Sequence, residues 1–119
     1  MSDSPEQVVQ RQLDAYNARD IDALVAAYAD DAELYEHPAT LLARGSAQIR
    51  ARLAGRLEEP NLHARLVSRM AMGAMVIDQE VITRTFPEGP GRLEMIAIYE
   101  VRAGRIARGW FMTGAKTLD

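Results

Sequence analysis

The hydrophobic pattern changes period once, near Leu62, and that change limits the folds open to this chain. Before it, apolar residues recur every three or four positions, as in helices with one buried face. After it they recur every second position, as in strands. Ser4-Pro5-Glu6-Gln7 reads as a helix start, with Ser4 as cap, Pro5 at the first helical position and Gln7 placed to close a capping box. Val9, Leu13 and Tyr16 follow at helical spacing. A second helix opens at Asp20, carries the stripe Ile21, Leu24, Val25 and Tyr28, and ends at Asp30-Asp31. An extended piece from Glu33 to His37 stops at Pro38, because the residue before a proline is pushed out of the helical region. A loop then leads to Gly45-Ser46, the start of a third helix that buries Ile49, Leu53 and Leu57 and ends at Glu59-Pro60-Asn61.

Four strands are predicted beyond this point, over residues 62–72, 75–86, 91–101 and 105–114, broken at Gly73, at Pro87-Glu88-Gly89-Pro90-Gly91 and at Ala103-Gly104. Sequential strands joined by tight turns form an antiparallel meander. Helices first and sheet second is an α+β pattern, and no repeat or linker divides residues 1–119, so a single domain is expected.

Alternation assigns Leu62, Ala64, Leu66, Ile77, Gln79, Val81, Leu93, Met95, Ala97 and Tyr99 to one, mostly apolar face. His63, Arg65, Arg69, Asp78, Glu80, Arg84, Glu94, Ile96, Ile98 and Glu100 fall on the other. Opposite charges can pair across that second face. Ile96 and Ile98 among them suggest a dimer interface as the alternative to a solvated outer surface.

Composition excludes several function classes. A net charge of −3 with scattered arginines gives no basic stripe to track phosphates, so nucleic acid is not an expected partner. No apolar run approaches the length of a membrane span. The opening Met-Ser-Asp-Ser-Pro-Glu is polar and acidic rather than signal-like, and the absence of cysteine removes disulfides and thiolate metal sites, so a cytoplasmic location is expected. His37 and His63 lack the spacing of a metal site, and no phosphate loop, nucleophile elbow or cofactor fingerprint is present; neither metal nor cofactor is expected.

The order helix, helix, short strand, helix, meander is accompanied by local features. These are Asp20-Ile21-Asp22-Ala23-Leu24, Tyr28-Ala29-Asp30-Asp31-Ala32, Glu36-His37-Pro38, Gly45 before the third helix, and Gly104-Arg105-Ile106 opening the last strand. Over almost its whole length the chain resembles the nuclear transport factor 2-like superfamily, in its SnoaL-like and ketosteroid isomerase-like branch. The resemblance implies a cone, or cystatin-like roll, in which a curved antiparallel sheet wraps three N-terminal helices around an apolar cavity. It also implies a homodimer through the outer face of the sheet. Fold kinship alone does not choose among isomerases, dehydratases, hydrolases, cyclases and binders.

Matched by its landmarks, the ketosteroid isomerase base falls on His37, and its tyrosine and protonated aspartic acid fall on Gln12 and Ala97. Ala97 cannot donate a hydrogen bond to a developing oxyanion, so a true steroid isomerase is not expected. The expected function is binding of a small hydrophobic molecule, either with isomerase, lyase or cyclase chemistry or as a non-catalytic binding or dimerisation module.

His37 is the first catalytic candidate, since an imidazole with a pKa near ~6.5 can move protons at neutral pH. Its alternative role is to hold the loop after the short strand. Tyr99 is the second, two residues beyond Ala97 on the same face and able to supply the missing donor. Tyr16, Tyr28, Leu53, Gln79, Met95 and Ala97 are the expected pocket residues. Gln79 stands out as an amide on an apolar face, where lack of a partner costs about 1–3 kcal/mol. Asp78 and Glu80 are expected to project from the outer face in a structural role. The inner positions so assigned carry none of the charges of the aspartate-arginine-aspartate arrangement of epoxide hydrolases in this superfamily, which argues against epoxide opening.

Overall fold

A computed structural model describes residues 3–119. Its elements run α1 (Pro5–Ala18), α2 (Ile21–Ala26), β1 (Tyr28–Glu36), β2 (Thr40–Arg44), α3 (Gly45–Leu57), β3 (His63–Met72), β4 (Met75–Phe86), β5 (Gly89–Arg102) and β6 (Arg105–Leu118). The expected capping box forms: Ser4 Oγ accepts from the Gln7 amide at 3.2 Å and Gln7 Oε1 from the Ser4 amide at 2.8 Å. Asp20 caps α2 by accepting from the Ala23 amide at 3.1 Å.

Six strands form one curved, open sheet in the order β2-β1-β6-β5-β4-β3, antiparallel except where β1 lies parallel to β6. This is the expected α+β cone, and it holds more sheet than the sequence pattern indicates. Tyr28 begins β1 rather than completing the stripe of α2, and the loop expected after Pro38 contains β2, which pairs with β1. Tertiary pairing supplies the backbone partners that make strands of these segments. The β5–β6 turn at Ala103-Gly104 has φ of 52° and 79°, and two consecutive left-handed residues are what a tight hairpin of the sheet's own twist requires.

Helix α1 lies across the concave face of β3 to β6, and α3 packs on β1 and β2. Val8, Val9, Leu13, Leu24, Leu34, Ile49, Val76, Ile82 and Ile106 form the buried core between them. The free edge of β3 is tied to α1 by Asn17, whose amide donates to the Ala64 carbonyl and accepts from the Ala64 N–H, both at 2.8 Å. Arg19, just past α1, donates to the carbonyls of Leu57, Glu59, Pro60 and Leu62, so one guanidinium fastens the connection from α3 to β3. No helix among the described residues is long and apolar enough to cross a membrane.

The faces of β4 are the reverse of the sequence expectation. In an antiparallel pair, directly opposed residues share a face, and the register sets Asp78 opposite Ala97 and Glu80 opposite Met95. Since Ala97 and Tyr99 are buried against the core, Val76, Asp78, Glu80 and Ile82 point inward, and Ile77, Gln79 and Val81 point outward. Alternation alone misleads because β4 has apolar residues on both faces: Val76 and Ile82 on one, Ile77 and Val81 on the other. In β3 a register shift between Leu66 and Ser68 turns Arg69 inward, opposite Asp78.

Candidate active site

The cone encloses a cavity of about 610 Å³. Gln12, Leu13 and Tyr16 line it from α1, where spacing of three and four residues puts them on one helical face. Leu53 projects from the same face of α3 as Arg52 and Arg56. Opposite them, Glu80, Ile82 and Arg84 project from alternate positions of β4, with Leu93, Met95 and Tyr99 from β5 beside them. The cavity grades from closed to open: Tyr99, Tyr28, Glu80 and Gln12 are 2–6 % exposed, whereas Glu36, His37 and Arg52 are exposed to solvent.

Glu80 is the unusual group. Its side chain is inside the protein, yet no hydrogen bond or ion pair among the described residues engages its carboxyl. Two residues away, Asp78 has no exposed surface and is held by Arg69, Nε to Oδ1 at 2.7 Å and Nη2 to Oδ2 at 2.9 Å. Arg69 Nη1 also donates to Gln10 Oε1 at 2.8 Å. With Arg69 committed to Asp78, burial and the negative charge of Asp78 prevail over the attraction of Arg69 and push the Glu80 carboxyl up to about 7. A carboxyl that titrates there is poised to give or take a proton at neutral pH.

Around Glu80 stand neutral donors. Burial raises the Tyr28, Tyr99 and Tyr16 phenols above their ordinary value, so all three keep their protons at neutral pH. The Tyr28 hydroxyl faces the Gln12 amide, while Gln12 Oε1 is buried without a donor. Tyr99 is fixed by an edge-to-face contact with Phe111, the ring centres 6.0 Å apart.

The family model of the SnoaL-like domain matches residues 9–109. The chain belongs to this family. No curated protein matches the chain. Among solved structures, an uncharacterised cystatin-fold protein from Novosphingobium aromaticivorans superposes on this SnoaL-like domain with TM-score 0.85 at 24 % identity, covering 93 % of this chain and 99 % of the other. IdmH of Streptomyces antibioticus, a candidate polyketide cyclase, gives TM-score 0.79 at 20 % identity over 93 % and 92 % of the two chains. A Mycobacterium tuberculosis LEH-like epoxide hydrolase gives 0.79 at 19 % over 92 % and 82 %. At these identities the likeness is one of fold.

Within the SnoaL-like domain, His37, Tyr16, Tyr28, Leu53, Met95 and Tyr99 all border the cavity, and Ala97 is buried in the same strand face as Met95 and Tyr99. His37 stands at the mouth, where its backbone N–H donates to the Phe111 carbonyl at 2.9 Å. Gln79 is not a pocket residue: it lies exposed on the convex side, its Oε1 accepting from Ser68 Oγ at 3.1 Å. Asp78, Glu80, Arg84 and Arg69, assigned to the outer face from alternation, are inside as well. The inner face is therefore charged, and it no longer speaks against epoxide opening. The spacing Asp-x-Glu was visible in the sequence; the pairing with β5 that turns it inward was not.

Trp110 and Arg108 lie on the convex side. Trp110 stacks on Tyr35, ring centres 6.1 Å apart, and Arg108 approaches Glu33 and Glu100 at 3.6 and 3.9 Å.

Proposed function

We propose that this SnoaL-like domain catalyses cofactor-independent proton transfer on a small, largely apolar carbonyl compound, as an isomerase, lyase or cyclase, with Glu80 as general acid and base. The observation that carries the reading is the unpartnered Glu80 carboxyl, raised to about 7, in the wall of a cavity of drug-like size. In the proposed step the carboxylate removes a proton from the carbon next to the carbonyl, and the electron pair moves onto the carbonyl oxygen. Tyr99 or Tyr28 donates a hydrogen bond to that oxygen as charge develops. The protonated Glu80 then returns the proton to another carbon, or to a leaving group, which closes the proton balance.

His37 is the alternative proton-transfer group, acting from the mouth. Parallel turnover assays of Glu80→Gln and His37→Ala on a panel of apolar ketones and unsaturated carbonyl compounds separate the two. Loss of 10²-fold or more in kcat for Glu80→Gln, with His37→Ala little changed, is the expected result for a general acid–base group. The opposite pattern assigns the chemistry to His37, turnover unchanged in both variants assigns it to neither, and no turnover by the wild type leaves a binding module.

Epoxide hydration is a second reading, favoured by the inward cluster of Arg69, Asp78 and Glu80. Protonated Glu80 would donate to the epoxide oxygen while water attacks carbon and opens the C–O bond, and the surplus proton of that water then returns through solvent to the Glu80 carboxylate. Incubation with limonene oxide or styrene oxide in labelled water, followed by mass analysis of any diol, tests it.

The domain pairs with a second copy through the convex face in the same proposal. An apolar row crosses all six strands there: Leu41, Tyr35, Trp110, Ile98, Ile77 and Met70 are successive cross-strand partners. Such a row in water favours association.

A further inference from the structure

Most basic side chains of this protein are paired: Arg11, Arg44, Arg50, Arg69, Arg92, Arg102, Arg105, Arg108 and Lys116 each reach a carboxylate. Arg52, Arg56 and Arg84 form no hydrogen bond or ion pair among the described residues, and all three line the open end of the cavity. Arg52 and Arg56 are four residues apart on α3 and so share a face. Arg84 faces them from β4, its guanidinium 5.1 Å from the centre of the Phe86 ring. Arg84 Nε is buried with no acceptor, a donor left open where water does not reach. Burial, and then the charge of Arg56, lowers both Arg52 and Arg84, so three cations crowd one another at a half-enclosed opening.

Like charges gathered with too few counterions are unfavourable unless an anion joins them. Glu36 lines the same opening and attracts Arg52, and Glu59 attracts Arg84. Three guanidinium groups against two carboxylates leave one net positive charge, which matches the single negative charge of a carboxylate. The planar fork of arginine also suits a carboxylate's two oxygens.

We propose that Arg52, Arg56 and Arg84 form an anion subsite at the cavity mouth that holds the carboxylate of an amphipathic acid, whose apolar chain fills the cavity and carries its oxygen function inward to Glu80. The substrate class is thus an oxo acid rather than a neutral terpene or steroid. Glu80 and Arg84 are four residues apart on β4, a separation of roughly 13 Å along the strand, which suits an acid whose carboxyl and carbonyl carbons are about eight to ten bonds apart. The part of this inference that assigns the inner end to Glu80 rests on the proton-transfer reading; the anion subsite does not.

The test compares binding of 9-oxodecanoate, its methyl ester and decyl phosphate by isothermal titration calorimetry. Wild type, Arg84→Gln, Arg56→Gln and Glu80→Gln are measured, with circular dichroism confirming that each variant is folded. The acid is expected to bind wild type at least tenfold more tightly than the ester, with an affinity that falls as salt rises. Arg84→Gln and Arg56→Gln should erase that preference by weakening the acid and sparing the ester, while Glu80→Gln should retain it. Equal binding of acid and ester to wild type overturns the subsite, as does a preference that survives in both arginine variants, or failure of the acid to bind. Tighter binding of decyl phosphate than of the acid overturns the carboxylate assignment. A preference for the acid that depends on the arginines, in a protein that turns nothing over, upholds the subsite and removes the proton-transfer reading alone.

Discussion

Arg69 of β3 grips Asp78 of β4 through two parallel hydrogen bonds of 2.7 and 2.9 Å, and this grip leaves neighbouring Glu80 without a cation of its own. One buried carboxylate is neutralised so that the next is not. The pairing depends on the register shift in β3, which brings an arginine to the inner face opposite an aspartate.

Removing one partner of that pair strands a buried charge. Arg69→Met is expected to lower unfolding stability by about 3–5 kcal/mol in urea titrations, and Arg69→Met with Asp78→Leu to recover most of the loss. The single change should also raise the Glu80 carboxyl further, since Arg69 is the group that opposes the shift. NMR titration of the Glu80 side chain reads this directly.

Glu80 makes stability depend on pH in a defined direction. Its proton is held to about pH 7 in the folded state against an ordinary value of 4.5, so the native state binds more protons between those limits. Stability from this group is complete below about pH 4.5 and is lost as pH rises to about 7, a difference on the order of 3 kcal/mol. Glu80→Gln should flatten the decline of the urea midpoint across that interval. An equal slope in wild type and variant would show that the carboxyl is not raised.

Asn17 covers the free edge of β3 with two 2.8 Å hydrogen bonds to Ala64, a residue only 3 % exposed. Asn17→Ala leaves both backbone groups unpaired and is expected to cost about 1–3 kcal/mol, with faster amide exchange at Ala64. Unchanged exchange at that amide would mean that another donor or acceptor replaces Asn17.

The convex row centred on Ile98 and Trp110 bears on association. Trp110→Glu places a carboxylate in the middle of that row and should convert a dimer to a monomer in sedimentation velocity runs at micromolar concentration. A wild-type protein that sediments as a monomer at those concentrations refutes the pairing.

Much of the architecture is legible in sequence because it depends on local rules. The Ser4 to Gln7 capping box, the Asp20 cap, the hairpin turn at Ala103-Gly104 and the change of period at Leu62 each involve residues close in the chain. The site is only partly legible for the same reason. Tyr16, Leu53, Met95 and Tyr99 lie on faces whose alternation is clear, and they border the cavity. Gln79 and Glu80 exchange places because β4 is apolar on both sides, so its own pattern does not select a face.

The strand β2 and the first half of β1 were invisible for a related reason. Thr40 to Arg44 has no strong strand pattern and becomes a strand through its pairing with Glu33 to Glu36. The sequence by itself determined α1, α3, the start of α2, the turns, the meander and the absence of any cysteine chemistry. Tertiary structure decided which charges face the cavity, because a strand's face is set by its partner's register and a register shift reverses it. That choice brought Arg69, Asp78 and Glu80 inside, and set Arg84 across the mouth from Arg52 and Arg56.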